Sequence, residues 1–291
     1  MFISLAPQGY VEGSEAVLPT RVDGWAEMSA IGCEGAGAML AIGDVLIPAH
    51  GEQIATAYDD SFNQTPARLL RSAEGLGYRG RIVHYVGMSH YFRLEPLGDA
   101  HYISLAGGVL NGPCEAWHRA YADRARELDF ELIWSLSYEL FDAHCWNDWK
   151  QRAPDGSAAL TGWVPPSTLL SPAHAGAMAY LQQVARAFVA IARDAGLRVL
   201  FQIGEPWWWV QPDSGAPCLY DNATRAALGG SPAIIADMRA PIEEAQRNVL
   251  DAAGALLAQS TAALAQSVRD AAGGAAEIRV SGPIRNPFVS F

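Results

Sequence analysis

Residues 197–209 read LRVLFQIGEPWWW, and this stretch decides the fold assignment. The run 197–203 is almost continuously apolar, which is typical of a parallel strand covered on both faces. Glu205 follows directly behind Gly204, and Pro206 and consecutive tryptophans come next. Because ligands bind at the carboxyl ends of parallel strands, a carboxylate in this position beside indole faces predicts a site that handles carbohydrate.

Similar apolar strands are predicted elsewhere along the chain, with helices between them. Strands are predicted over 81–88 and 130–137, and helices over 65–74, from Pro113 to Leu128, and from an N-terminal cap at Ser171 to Gly196. Strand and helix alternating at this spacing predict parallel βαβ units with right-handed crossovers. We expect an α/β protein with a TIM-barrel-like parallel sheet, for which the chain supplies about five strands of a barrel.

The predicted domain organisation has three parts. Residues 1–60 contain short apolar runs broken by Gly and Pro, which predicts short strands and loops. Residues 61–240 form the barrel region. Residues 241–291 contain a long helix from Pro241 to about Ala272, either as one helix or as two, and then a last strand at 277–280.

Composition excludes several classes of function. The 291 residues are 50 % hydrophobic and carry a formal net charge of −11, so a basic surface for nucleic acid or for an anionic membrane is not expected. The four cysteines lie far apart and are expected to be reduced thiols, which favours synthesis in the cytoplasm. The first five residues lack the basic start of a signal peptide, and no apolar run is long enough to span a bilayer.

Two carboxylates follow predicted strands in the same way. Glu139 stands just past the strand 130–137, and Glu205 stands just past 197–203. If the two strands are neighbours, both side chains face one pocket, where one pKa should rise and that acid should keep its proton. Purely structural roles are the alternative: a helix cap for Glu205, and an ion pair with Arg124, Arg126 or Lys150 for Glu139.

Aromatic side chains near both strand ends are the candidate ligand-binding residues. Because side chains alternate along an extended segment, Trp207, Trp208 and Trp209 cannot all be buried on one face. Tyr138, Trp146 and Trp149 lie beyond the other strand end and are candidates for the opposite wall, although loop packing explains each equally well.

Two further residue patterns could belong to the same site. His90 follows the strand 81–88 and is a candidate contact to ligand, or simply a satisfied loop histidine. A metal site is not expected, because the one cluster of candidate ligands matches no known spacing; its members are Asp142, His144, Cys145 and Asp148. No cofactor is predicted, since the glycine pairs lack phosphate-loop spacing.

At these residues the chain resembles a glycoside hydrolase-like (β/α)8 barrel of the large retaining glycosidase clan, in which the acid/base Glu ends strand four. The stretches 138–142, 160–166 and 202–209 also resemble barrel domains in tail proteins of phages and of alphaproteobacterial gene transfer agents, including those called non-contractile tail sheath proteins. The clan's nucleophile comes from strand seven, and here the only carboxylate near a late predicted strand, Glu277, stands at the start of that strand and so at the wrong end of the barrel.

Two functional hypotheses follow from the resemblance. In the first, a phage-tail-type barrel binds a cell-surface glycan and hydrolyses it, with Glu205 as acid/base and Glu139 as the second carboxylate. In the second, the barrel is a non-catalytic scaffold that packs against other tail subunits and resides in a virion tail. A cytoplasmic glycosidase without a phage connection is a third, weaker alternative.

Overall fold

The computed structural model describes residues 6–11, 13–14, 16–21, 23–27, 29, 34–162 and 164–281. Cys33, Trp163 and the first five residues therefore lie outside the described part. The chain divides into two compact units, Met1–His50 and Gly51–Phe291. In the first unit, strands β1 (Met39–Ile42) and β2 (Val45–Pro48) form an antiparallel hairpin.

The second unit is built on a five-stranded parallel sheet. Its order is β11-β10-β7-β4-β3, so each strand pairs with the next sheet strand along the chain. The sheet is not closed, and β3 and β11 are its edges among the described residues. The strands are β3 (Ile54–Ala57), β4 (Arg81–Tyr85), β7 (Glu131–Ser137), β10 (Val199–Gly204) and β11 (Ala276–Val280).

Helices connect successive sheet strands, as the alternating pattern predicts. The main connecting helices are α2 (Pro66–Gly75), α3 (Gly112–Glu127), α4 (Ala175–Asp194) and α6 (Glu244–Ala271). Shorter elements decorate the connections: α1 (Tyr58–Ser61), the hairpin β5 (Leu94–Leu97) with β6 (Ala100–Ile103), the hairpin β8 (Glu139–Phe141) with β9 (Ser167–Leu169), and α5 (Asn222–Ala227). Short 3-10 turns occupy 142–144 and 147–149.

Local sequence signals explain where most helices begin. The Thr65 hydroxyl caps α2 through the amide of Arg68, and the Asn111 side chain caps α3 through the amide of Cys114, each with Pro in the first turn. The start of α4 differs from the prediction at Ser171, because His174 is the N-cap and Ser171 Oγ donates to Asp221 instead.

The long C-terminal helix is a single element of 28 residues, about 42 Å long. A capping box between Glu243 and Gln246 begins it. Its C-terminal half buries Leu264 and Val268 in the main core, and its N-terminal half joins a smaller cluster through Val249. The helix therefore covers one face of the second unit along its whole length.

The amino ends of the sheet strands carry an ion-pair network. Arg81 pairs with Glu131 at 2.8 Å and with Glu277 at 3.6 Å, and Arg198 pairs with the same two carboxylates. Glu277 therefore lies at the edge of the sheet opposite to the strand ends that bear Glu139 and Glu205.

A buried polar chain crosses the core between β3, β4 and α3. Thr56 Oγ1 lies 2.8 Å from His84 Nδ1 and 3.1 Å from the Tyr121 hydroxyl. His84 Nε2 lies 3.1 Å from His118 Nε2, and His118 Nδ1 lies 2.8 Å from the Cys114 carbonyl. One arrangement satisfies every partner with both rings neutral: His118 Nδ1–H donates to Cys114, and His84 Nε2–H donates to His118.

Acid should therefore destabilise the protein through this pair of histidines. Burial lowers the pKa of His118 to about 4, and burial together with the charge of His118 lowers the pKa of His84 well below its usual range. The unfolded chain then binds more protons than the native state below about pH 6.5, so stability falls with pH by about 1.4 kcal/mol per unit for each histidine.

We expect urea unfolding of wild type and His118→Gln to show this effect. The variant should lose less free energy of unfolding between pH 7 and pH 5 than wild type, although its stability at pH 7 is lower. His101→Gln, at an exposed histidine, is the matched control and should retain the wild-type slope. Identical slopes for wild type and His118→Gln would contradict the prediction.

Candidate functional site at the carboxyl ends of the strands

The carboxyl edge of the sheet collects acidic side chains from three connections. Asp59 follows β3, Glu139 follows β7 and Glu205 follows β10. β7 and β10 are direct neighbours, and Gly204 pairs with Ser137 at their ends. The two strands that precede Glu139 and Glu205 therefore lie side by side, which is the condition for both side chains to share one edge of the sheet.

Glu205 stands in an unusual backbone conformation. Its φ is +52°, in the left-handed region that non-glycine residues seldom adopt. Its amide donates to Ser281 Oγ at 3.2 Å, and its carbonyl accepts from the amide of Trp207 at 3.0 Å. Gly204 precedes it because a Cβ there would lie 3.2 Å from Ser135 Oγ. The turn therefore directs the Glu205 carboxylate towards the neighbouring strand end.

Ser137 connects Glu205 with Glu139, and a second serine binds Glu139. Ser137 Oγ donates to Glu205 Oε2 at 2.7 Å and accepts from the amide of Glu139 at 3.0 Å. Ser167 Oγ, from β9, donates to Glu139 Oε1. Among the described residues Glu139 forms no ion pair with Arg124, Arg126 or Lys150, and Lys150 pairs with Asp142 while Arg124 pairs with Glu127.

Glu139 and Glu205 form a coupled acid pair. Burial raises the pKa of Glu139 to about 7, and the charge of Glu205 and a hydrogen bond shared with it act in the same direction, against the Ser167 hydroxyl. The Glu139 side chain is only 7 % exposed. A raised pKa at one carboxyl is the expected result of placing two like charges together in a partly dry site.

Asp59 completes the acidic edge and was not recognised from the sequence. Its carboxylate accepts from the amides of Met88 at 2.8 Å and Ser89 at 3.1 Å, and its Oδ1 accepts from the amide of His90 at 3.1 Å. The negative charge of Asp59 also raises the pKa of Glu139. Gly87 is required here, since a Cβ would overlap the Asp59 carboxylate.

His90 lies at this edge as a partner of Asp59. Its Nδ1 is 3.2 Å from Asp59 Oδ1, and its ring stacks on Phe62 with centroids 4.2 Å apart. Both carbohydrate contact and simple loop packing agree with this position, so its role in binding stays a prediction.

The three consecutive tryptophans divide between two cores, as alternation requires. Trp207 and Trp209 pack against the main core, whereas Trp208 packs in the smaller cluster and donates its Nε1–H to the Ala253 carbonyl on α6 at 2.9 Å. The buried Gln151 amide donates to the Trp207 carbonyl and accepts from the Trp209 amide. All three indoles are partly exposed, so each retains some surface.

The other predicted aromatic contacts lie deeper or elsewhere. Tyr138 is fully buried and its hydroxyl lies 3.1 Å from Ser260 Oγ on α6, which leaves no ring face for a sugar. Trp149 is buried beside Tyr180. Trp146 stacks on Tyr102 and donates to the Ile103 carbonyl at 2.8 Å. Loop packing, the alternative reading of these residues, describes their environment.

Metal coordination finds no support in the described residues. No group of three His, Cys, Asp or Glu side chains is arranged there to hold a metal ion. Asp142 pairs with Lys150, His144 contacts the His101 carbonyl, Cys145 is buried, and Asp148 pairs with His174. In the same residues, no helix has the length and apolar character needed to cross a bilayer.

The large clefts of the second unit are not lined by the acid pair. One of about 1120 Å³ lies along α3 and α4, and a smaller one of about 270 Å³ adjoins it. The acid pair is instead placed where a barrel would bind a ligand, at the strand ends.

The raised pKa of Glu139 has a consequence for stability. Because the folded pKa lies above the unfolded value of about 4.5, the native state gains stability when Glu139 is protonated, and this gain is lost as pH rises towards 7 and beyond. Glu139→Gln removes the charge and keeps the shape, so it should stabilise the protein at pH 8 by on the order of 2 kcal/mol and have little effect at pH 5.

Denaturant unfolding of wild type and Glu139→Gln at both pH values measures this difference. Glu52→Gln, at an exposed position, is the control and should follow wild type at each pH. A Glu139→Gln variant that is less stable than wild type at pH 8 would show that the ionised carboxylate is favoured where it stands.

Comparison with solved structures gives only distant similarities. The chain is similar to a GH31 family sulfoquinovosidase from E. rectale (9 % identity, TM-score 0.39, 80 % of this chain and 31 % of the other). It is also similar to a GH31 alpha-xylosidase from a soil metagenome (11 %, 0.37, 79 % and 30 %) and to a cycloalternan-forming enzyme from Listeria monocytogenes (9 %, 0.34, 80 % and 21 %). The chain spans less than a third of these proteins, and no activity follows from similarity at this level.

Family models match nearly the whole chain. Residues 1–43 match the non-contractile tail sheath N-terminal domain, and residues 48–281 match the non-contractile tail sheath protein TIM barrel. Both matches come from the same kind of tail protein and follow each other in the chain order. The chain therefore belongs to the non-contractile tail sheath protein family.

Proposed function

We propose that this chain is a structural subunit of a non-contractile phage tail, in which the barrel-like unit is a scaffold that packs against other tail subunits. The observation that carries the proposal is the consecutive match of residues 1–43 and 48–281 to both domains of a tail sheath protein. After synthesis in the cytoplasm, the subunit would reside in the tail of a virion or of a gene transfer agent.

The contacts of the strand-end residues support a scaffold role. The segment that bears Glu205 is fixed to β7 through Ser137, to the end of β11 through Ser281 and to α6 through Trp208. The same segment is joined to the loop after β8 by Gln151. Residues that an enzyme would present to substrate here make internal contacts between elements.

The serine contacts of the acid pair also favour a scaffold over a glycosidase. Ser137 Oγ donates to Glu205 Oε2 and accepts from the Glu139 amide, and Ser167 Oγ donates to Glu139 Oε1. Both carboxylates are therefore engaged within the protein, and hydrolysis would require them to exchange these partners for a glycan.

Deletion of the gene in the phage or transfer-agent genome that encodes it tests the structural role. We expect particles that lack the protein to have absent, shortened or unsheathed tails in negative-stain micrographs, and a plasmid copy to restore them. A copy carrying both Glu139→Gln and Glu205→Gln should restore tails equally well, because the scaffold does not require ionised carboxylates. Complete, normal tails in the deletion would contradict the structural role.

Glycan binding or hydrolysis at the acid pair is the second candidate function. Its support is the Glu139 pKa of about 7 at a strand end, which suits a general acid at neutral pH. Glu139 would then be the proton donor and Glu205 the second carboxylate, which exchanges the roles expected from the sequence.

An oligosaccharide panel separates the two candidates. If the pair is catalytic, wild type should release sugar and Glu139→Gln or Glu205→Gln should lose at least a hundredfold in rate, with Glu52→Gln unchanged. Equal rates for all four proteins, or no turnover by any of them, would remove the catalytic function and leave the scaffold.

A further inference from the structure

The first unit exposes apolar side chains that nothing in it covers. The described residues between 6 and 27, here called the N-terminal arm, contain no helix or strand. Val17 is 94 % exposed and Trp25 is 85 % exposed, and Tyr10 and Val11 are more than half exposed. These four apolar side chains are exposed within one short segment of the chain, which makes the segment a candidate for contact with another protein.

The arm is part of an acidic segment. Residues 1–50 contain one arginine, Arg21, and six acidic residues, which gives a formal net charge of 1 − 6 = −5. The only described ion pair of the arm joins Arg21 to Asp23 at 3.1 Å. A partner of this segment should therefore combine an apolar floor with a basic rim. The acidic residues are Glu12, Glu15, Asp23, Glu27, Glu34 and Asp44.

The second unit carries a groove with this character. Its volume of about 1120 Å³ exceeds that of most small-molecule sites, and it runs between the loops that flank the β5–β6 hairpin and the outer face of α4. The floor includes Val109, Ala187 and Ile191. The rim carries three arginines, Arg93, Arg119 and Arg186, and one carboxylate, Glu115. Arg119 is already paired with Glu115 at 3.0 Å and with Asp194 at 2.8 Å, so the positive charge open to a partner comes from Arg93 and Arg186.

A smaller pocket continues the groove towards the start of α4. Its volume is about 270 Å³, and it shares Gly108, Val109 and Gln183 with the groove. Trp149 and Tyr180 form aromatic walls, and Gly176 and Ala179 leave space between them. A pocket of this size and lining suits one large aromatic side chain, the usual anchor of a protein interface.

We propose that the N-terminal arm of one copy of this chain binds in the arginine-rimmed groove of a second copy, with Trp25 in the smaller pocket. Apolar contacts of Val17 with the floor and of Trp25 with the smaller pocket supply the affinity, and the acidic residues of the arm meet Arg93 and Arg186 at the rim. The inference rests on the proposed structural role and names the contact through which copies join.

Such a contact is head-to-tail, because the arm and the groove are different surfaces. Each copy that donates an arm keeps its own groove free for the next copy, so the interaction generates rings or open filaments rather than closed dimers. A subunit that repeats along or around a tail requires this property.

Sedimentation velocity of the full-length chain over a range of concentrations tests the proposal. Wild type should form species larger than a dimer as concentration rises. Trp25→Ala removes the anchor, and Ala190→Glu places a bulky negative side chain in the groove, where Ala190 is exposed. Each variant should associate at least tenfold more weakly than wild type. Ile234→Ala and Ala252→Glu, at exposed positions away from both surfaces, are the matched controls and should associate like wild type.

Mixing the two defective variants gives the sharper result. Trp25→Ala retains an intact groove and Ala190→Glu retains an intact arm, so an equimolar mixture should form a heterodimer that neither forms alone. Thermal unfolding by circular dichroism should show that both variants remain folded. A monomeric wild type at every concentration, unaffected association of both variants, or a mixture without heterodimer would each overturn the proposal.

The test of the arm contact can fail independently of the test of the structural role. If Trp25→Ala enters tails normally and the gene deletion still abolishes them, the arm contact is refuted and the structural role stands. If the deletion has normal tails, the structural role fails whether or not copies associate in solution.

Discussion

The parallel pairing of each sheet strand with the next one along the chain is the constraint on which the rest of the structure depends. Every strand in such a sheet must be followed by a crossover, and the crossover must cover a face of the sheet. All carboxyl ends then meet at one edge and all amino ends at the other. Asp59, Glu139 and Glu205 therefore share an edge although they are far apart in sequence, and Glu131 and Glu277 meet arginines at the opposite edge.

The sheet and its helices could be predicted from sequence because their signals are local. Continuous apolar runs identified β7 and β10, and Pro113 in the first turn located α3. The start of α4 was wrong because the choice between Ser171 and His174 depends on a distant residue. Ser171 is recruited by Asp221, fifty positions later, and only the folded chain brings the two together.

The candidate site was predictable in part for the same reason. Convergence of Glu139 and Glu205 follows from strand order, but the direction of each side chain depends on contacts that sequence does not show. Tyr138, which immediately precedes Glu139, illustrates this. Because side chains alternate along an extended segment, the Tyr138 side chain points towards α6, where its hydroxyl contacts Ser260 Oγ. Asp59 was missed because its strand, β3, is short and lies in a region without clear periodicity.

The backbone of Glu205 shows that this strand end is not arranged for stability alone. The structure has a second non-glycine residue at positive φ among those described, Asp129, but a short Asp side chain tolerates the left-handed region, whereas Glu has no such advantage. Holding Glu205 there costs about 1–2 kcal/mol.

Its neighbour Glu139 is buried with a pKa of about 7, so ionising it above that pH adds a second cost. Hydrogen bonds from Ser137 and Ser167 to the two carboxylates, and from the Glu205 amide to Ser281, offset these two costs. A scaffold can retain such a strand end because those same hydrogen bonds join β7, β9, β10 and the chain after β11 into one rigid edge.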